Sequence, residues 1–206
     1  MIVRDNFYEQ PKAVYQKAIT SDFYQPEHAT GYRSRELYHE KGIKQRLEKL
    51  IGIKITRWDL DPLEENGVFY QGFSEGNKSE LPGVHSDEPY NDMTVLVYLT
   101  PNLPFDCGTS FWQHRATGLT DPANSADAKR LKMKLKDLQQ QLEKESKQRE
   151  KWIEIDRVGY RFNRLVVFPS GILHSATRHF GEDNANGRLY QTIRLGVDWS
   201  TFKLGR

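Results

Sequence analysis

The sequence predicts an α+β domain whose strands close into a sandwich or barrel. Two segments with apolar residues at helical spacing come first, a run of short strand-like segments follows, and Gly, Pro and Asn punctuate that run. At 206 residues the chain has the length of one domain with a sizeable core. That domain is taken as 1–206, with helices in 1–50, strands in 51–120 and 153–200, and a helical insertion over 121–152.

The first helix is expected over Pro11 to Phe23, where Val14, Ala18 and Ile19 recur at helical spacing. A polar loop containing Gly31-Tyr32-Arg33-Ser34 separates it from a second helix over Lys41 to Leu50, with Ile43, Leu47 and Leu50 on one face and Gly52 as its stop. The period then changes to two. Ile51, Ile53 and Ile55 alternate with polar residues, and strands follow at Val68–Phe73, from His85 onward, at Met93–Leu99 and at Thr109–Arg115. Between Asp127 and Lys151 stand nine Lys or Arg and five Asp or Glu, with Leu131, Leu135, Leu138 and Leu142 forming one narrow apolar stripe. This predicts one long solvated helix, read first as a surface helix docked by its leucines, with an active-site lid or a dimerising coiled coil as alternatives. Strands resume at Ile153–Val158 and Arg161–Phe168, the latter closed by Pro169-Ser170-Gly171. The last strand runs from Arg188 to Val197, with Arg188, Tyr190, Thr192 and Arg194 on one face and Leu189, Ile193, Leu195 and Val197 on the other.

Composition narrows the partners. Thirty basic against 28 acidic side chains give no global attraction to nucleic acid or an anionic membrane. The single cysteine, Cys107, excludes an internal disulfide and multi-cysteine metal knuckles, and fits a reducing compartment. No apolar stretch approaches the roughly 20 residues a membrane span needs, and Met1-Ile2-Val3-Arg4-Asp5 lacks a signal-peptide core, so a soluble, cytoplasmic protein is expected. Oligomeric state, monomer or homodimer, is left open.

The chemistry centres on Pro82-Gly83-Val84-His85-Ser86-Asp87-Glu88. His85 and Asp87, two positions apart, point to the same side of an extended chain, and the run from Met93 reads as a strand buried on both faces. His174, after the Pro-Ser-Gly turn, supplies a second imidazole. Two imidazoles and one carboxylate form the facial ligand set suited to Fe(II), leaving three positions open. A His-x-Asp pair arises readily by chance, and the weight lies in the ordered context: Gly-rich loop, strand, turn with His174, then Arg188 opening an apolar strand. A guanidinium there can take a carboxylate through two charge-assisted hydrogen bonds. His114 reads as structural before ligand, His28, His39 and His179 carry no assigned role, and Tyr70, Phe73, Phe111 and Trp112 read as core or pocket wall.

In order, His85-Ser-Asp87, His174 and Arg188-x-x-x-Thr192 resemble the 2-oxoglutarate and Fe(II)-dependent dioxygenase superfamily, and within it prolyl-hydroxylase-like members that include small bacterial and phage proteins. Asp5-Asn6-Phe7-Tyr8, Gly31-Tyr32-Arg33-Ser34, Gly108-Thr109-Ser110-Phe111-Trp112-Gln113-His114, Thr117-Gly118 and Asn163-Arg164-Leu165 extend the resemblance over nearly the whole chain. It implies a cupin-like double-stranded β-helix, or jelly roll. It further implies Fe(II) on His85, Asp87 and His174, with 2-oxoglutarate and O2 as cosubstrates. Arg188 would pair with the 5-carboxylate of 2-oxoglutarate, and Thr192 and Tyr98 would hydrogen-bond to it. Arg188-x-x-x-Thr192-x-Arg194 also resembles the last strand of the AlkB-type demethylases, which makes Arg194 a second cosubstrate candidate. The nucleotide-recognition segment of that group is missing, so nucleic acid is not the implied substrate. The implied reaction is hydroxylation of an amino-acid, peptidyl or small-molecule C–H bond with release of succinate and CO2. Two alternatives stand beside it: a cupin-like metalloprotein using His85, His114 and His174 without 2-oxoglutarate, and a non-catalytic jelly roll that binds a partner through the basic segment 129–151.

Overall fold

Helix ends are set by residues whose backbone leaves the helical region. The computed structural model describes residues 1–27, 31–58, 66–87 and 91–202; His28 and Glu88 lie outside these. The chain begins with strand β1 (Ile2–Arg4), and helix α1 (Pro11–Ile19) starts with its proline in the first turn, where no hydrogen bond is lost. Val14 and Ala18, four apart, are its buried residues. Strands β2 (Phe23–Tyr24) and β3 (Tyr32–Ser34) occupy sequence expected as helix end and polar loop. They are strands because they pair with each other and with a later strand, an interaction that segments of two and three residues do not signal alone.

Helix α2 (Ile43–Ile51) buries Ile43, Leu47 and Ile51. Gly52 ends it at φ 69°, its N–H donating to the Glu48 carbonyl, a left-handed cap that glycine adopts without strain. Ile51, expected at the head of the alternating strand, is therefore the last helical residue, and strand β4 is Lys54–Arg57. Then follow β5 (Phe69–Gly72), β6 (Met93–Tyr98) and β7 (Thr109–His114).

The segment expected as one long helix is two: α3 (Ser125–Leu131) and α4 (Leu135–Glu145). Asn124 opens α3 with a capping box, its side chain accepting from the Ala126 and Asp127 amides while Asp127 accepts from the Asn124 amide. Lys132 stops α3 at φ 55°, a left-handed conformation that lysine rarely signals. The leucine stripe survives this break. Leu138 is fully buried against Leu119 and Ala123, with Leu131, Leu135 and Leu142 around it. The chain finishes with β8 (Trp152–Val158), β9 (Leu165–Pro169), β10 (His174–Ala176) and β11 (Arg188–Asp198).

The molecule is α+β with antiparallel sheets. The large sheet runs β1-β9-β6-β11-β5-β3-β2 with β4 also on β11, and the small one runs β10-β7-β8. Both faces of the large sheet are covered. Val95, Val97, Leu165, Val167, Leu189 and Ile193 pack on the α1 and α2 side, whereas Leu96, Tyr98, Val166 and Phe168 meet Phe111 and Val158 of the small sheet. Double coverage explains why β6 and β9 read as unbroken apolar runs, each such side chain contributing about 1.5–3 kcal/mol on burial. No helix among the described residues is long and apolar enough to cross a membrane.

Candidate metal centre

His85 and His174 are brought side by side by backbone pairing. Each amide donates to the other's carbonyl, at 2.9 and 2.8 Å, in an isolated antiparallel bridge. Directly opposed residues place their side chains on one face, and the two imidazole centroids lie 4.5 Å apart. Asp87, two residues beyond His85, returns to that face while its own amide donates to the Ser170 carbonyl at 2.8 Å. Together they offer three ligand atoms within 4.8 Å of one another, the one such group of three among the described residues.

The surroundings set both tautomers. His85 Nδ1 lies 3.0 Å from the Gly83 carbonyl and His174 Nδ1 2.8 Å from the Ile172 carbonyl. Carbonyl oxygens only accept, so each Nδ1 carries the proton and each Nε2 keeps its lone pair for a metal. Those Nε2 atoms stand 3.8 and 3.5 Å from the two Asp87 oxygens. Cis ligands at ordinary bond lengths of about 2.1 Å are separated by about 3 Å, so the three groups would have to draw together to share one ion. Burial pushes the His174 imidazolium down to about 4, so the ring is neutral at neutral pH despite the Asp87 charge beside it.

Asp87 is held by a cross-strand pair. Thr94 on β6 faces Arg194 on β11. The Thr94 hydroxyl donates to Asp87 Oδ2 at 2.6 Å, and Arg194 Nη1 lies 3.2 Å from Oδ1. Burial opposes charge on Asp87, but His174, Arg194, His85 and the Thr94 hydrogen bond outweigh it and hold the carboxyl below the usual range. The three candidate ligands differ in access: His85 is 56% exposed, whereas Asp87 and His174 are 8% and 5% exposed.

These residues line a cavity of about 680 Å³. Its β11 wall presents Arg188, Tyr190, Thr192 and Arg194, the face expected from their alternation. Arg188 is 1% exposed and sits on β11 opposite Gly72. Its Nε and Nη2 donate to the Cys107 and Gly108 carbonyls at 2.8 and 3.2 Å, and its guanidinium lies over the Tyr190 and Tyr98 rings at 4.4 and 5.6 Å. None of the ion pairs among the described residues involves Arg188, which leaves a buried cation on a cavity wall with no anion. Tyr98 donates its hydroxyl to Thr109 Oγ1 at 2.7 Å; Thr109 lines the cavity, and Tyr98 stands behind it.

His114 is elsewhere. Its Nδ1 meets Thr117 Oγ1 at 2.8 Å and its Nε2 meets Glu145 Oε2 at 2.7 Å, so both nitrogens are spent and the set His85, His114 and His174 is not assembled. Burial raises the Glu145 carboxyl, and the His114 and Gln141 hydrogen bonds more than reverse it. Sequence reasoning missed Thr94, whose one signal is a hydroxyl in an apolar run, and His179, which lines the cavity and is pushed to about 3 by burial and by Arg188. The α4 face also reaches the site, at the place the lid alternative gave the insertion: Gln139, Leu142 and Glu143, with Ser146 and Lys147 just beyond, lie on the cavity wall.

A prolyl hydroxylase from Trichoplax adhaerens, solved in complex with a hypoxia inducible factor oxygen degradation domain peptide fragment, is similar to this chain at 16% identity and a TM-score of 0.45, over 97% of this chain and 84% of that one. No curated protein matches the sequence. Residues 78–195, more than half of the chain and the stretch that carries every candidate ligand, match the model of a family of unknown function, DUF6445, to which the chain therefore belongs.

Proposed function

We propose that the chain is a single-domain Fe(II)- and 2-oxoglutarate-dependent dioxygenase that hydroxylates a C–H bond of an amino-acid, peptidyl or other small substrate. The observation that carries this is Arg188: a buried guanidinium with no ion-pair partner among the described residues, in the same cavity as two Nε2-exposing histidines and a carboxylate. A buried cation lacking a counter-charge is costly, and a dicarboxylate cosubstrate would supply the missing anion. The order β9-β6-β11-β5 in one sheet, and the His85 bridge followed by β10-β7-β8 in the other, support a double-stranded β-helix.

In this proposal His85, Asp87 and His174 would hold Fe(II), which when bound would couple O2 to the oxidative decarboxylation of 2-oxoglutarate and oxidation of the substrate. Arg188 would bind and orient the 5-carboxylate, with Thr192 beside it on the strand and Tyr98 acting through Thr109. Thr94 and Arg194 would keep Asp87 ionised and fix its two oxygens. The α4 residues at the cavity wall would select the substrate.

Adding 2-oxoglutarate to the Fe(II)-loaded protein without O2 should produce a visible charge-transfer band that 2-oxoglutarate gives with no other arrangement considered for this chain. Fe(II) binding with no band would leave a metalloprotein that holds iron on His85, Asp87 and His174 without using 2-oxoglutarate; no Fe(II) binding would return the non-catalytic alternative.

A further inference from the structure

We propose that Arg149, at the end of the helical insertion, is a positioning residue of the metal centre that ties together the two segments carrying His85 and His174. The inference rests on His85, Asp87 and His174 being the metal ligands. Arg149 lies in a short 3-10 turn (Arg149–Lys151) leading into β8. Its Nη2 donates to the Pro82 carbonyl at 2.8 Å, three residues before His85, and to the Ala176 carbonyl at 3.4 Å, two residues after His174. Its guanidinium lies 4.7 Å over the Trp112 ring, and Trp112 Nε1 donates to Ser175 Oγ at 3.0 Å, so the clamp is braced against the strand of His174 a second time.

The loop of His85 receives a further link from the insertion. The Val84 amide donates to the Ser146 carbonyl at 2.9 Å, and a Cβ on Gly83 would lie 3.4 Å from Ser146 Oγ, at the near limit of ordinary packing. The Gly83 carbonyl is the one that orients His85 through Nδ1. The chain from Ser146 to Arg149 therefore holds Pro82, Gly83 and Val84 in the geometry that aims the exposed ligand.

Arg149 itself does not line the cavity, which sets it apart from a substrate contact. Its hydrogen-bond acceptors are carbonyls, its Nη1 has no hydrogen-bond partner among the described residues, and the Glu154 carboxylate acts on it through charge without an ion pair. A partly buried guanidinium spent on two carbonyls acts by fixing distance.

The probe is Co(II), titrated into the metal-free protein, with affinity and visible d–d spectrum as readouts beside the melting temperature of the metal-free form. Arg149→Met keeps an apolar stem over Trp112 and removes the donors; Arg149→Lys keeps the charge. Arg149→Met should weaken Co(II) by about tenfold, as loss of an outer-sphere orienting group does, and alter the spectrum, with Arg149→Lys between it and the parent. In whichever variant folds, a lowered melting temperature with unchanged affinity and spectrum overturns the inference, since that is what a purely structural residue would give. His85→Ala separates the two claims: if the parent fails to bind Co(II), or His85→Ala binds it equally well, the ligand assignment falls and this inference with it.

Discussion

Removing the Asp87 carboxylate would strip a proposed metal ligand, the acceptor of Thr94 and the counter-charge of Arg194 together. Asp87→Ala and His85→Ala should both lose tight Fe(II) binding, and wild-type stoichiometry and affinity in either, measured by metal titration, would discard the ligand assignment. They should differ in stability, because His85 is mostly exposed and Asp87 is buried beside a guanidinium. Arg188→Ala should raise the apparent constant for 2-oxoglutarate by one to three orders of magnitude, since breaking a desolvated charge pair from one side costs roughly 2–5 kcal/mol, with lysine a partial rescue. Arg194 faces Asp87, so Arg194→Ala should act chiefly through the metal; a cosubstrate effect confined to Arg194→Ala would exchange the two roles. His85, Asp87 and the even face of the last strand were legible because period-two alternation is local information. Thr94 was not, because a threonine within an apolar run acquires meaning when the β6–β11 register sets it opposite Arg194.

Among the elements, the insertion departs furthest from its sequence pattern. Its leucines announced a docked face correctly, but the break at Lys132 was silent, since no Gly, Pro or Asn marks it. Its contacts with the metal loop were also invisible, being made through carbonyls and amides common to every residue type. Replacing residues 124–150 with a short Gly-Ser linker should therefore do more than open the cavity. The change removes the Leu138 packing, the Glu145 partner of His114, and the Ser146 and Arg149 links to the His85 loop. Expected are a lower melting temperature, weaker Fe(II) binding and reduced substrate-free decarboxylation of 2-oxoglutarate. Undiminished metal binding and decarboxylation in a folded replacement would show that the insertion acts on substrate access alone.

For the whole molecule, acid stability follows from its buried histidines. His174 and His179 titrate near 4 and 3 in the folded protein, against about 6.5 in an unfolded chain. Between pH 6.5 and 4.5 the unfolded state takes up protons that the folded state refuses, so stability falls with pH, by roughly 2 kcal/mol for each histidine at the lower limit. Asp87 adds nothing in that window, its carboxyl being held below the usual range. Melting of the metal-free protein from pH 7.5 to 4.5 checks this, and a flat profile above pH 4.5 would show that these rings are charged when folded; His179→Gln should flatten the slope in part. The α+β class and nearly every long strand were legible, because burial on both faces writes itself into composition, whereas β1, β2 and β3 owe their form to partners far along the chain. The order of the large sheet bears on how the protein is made. Its strand β11 lies between β6 and β5 and also pairs with β4, yet it follows all three in the chain. During synthesis at about 5–20 residues per second, β5 and β6 emerge with their central neighbour still untranslated, and their apolar edges remain open for the time needed to add about a hundred residues. Nascent chains arrested before Arg188 should be protease-sensitive throughout the sheet, and release of β11 should close it in one late, cooperative step.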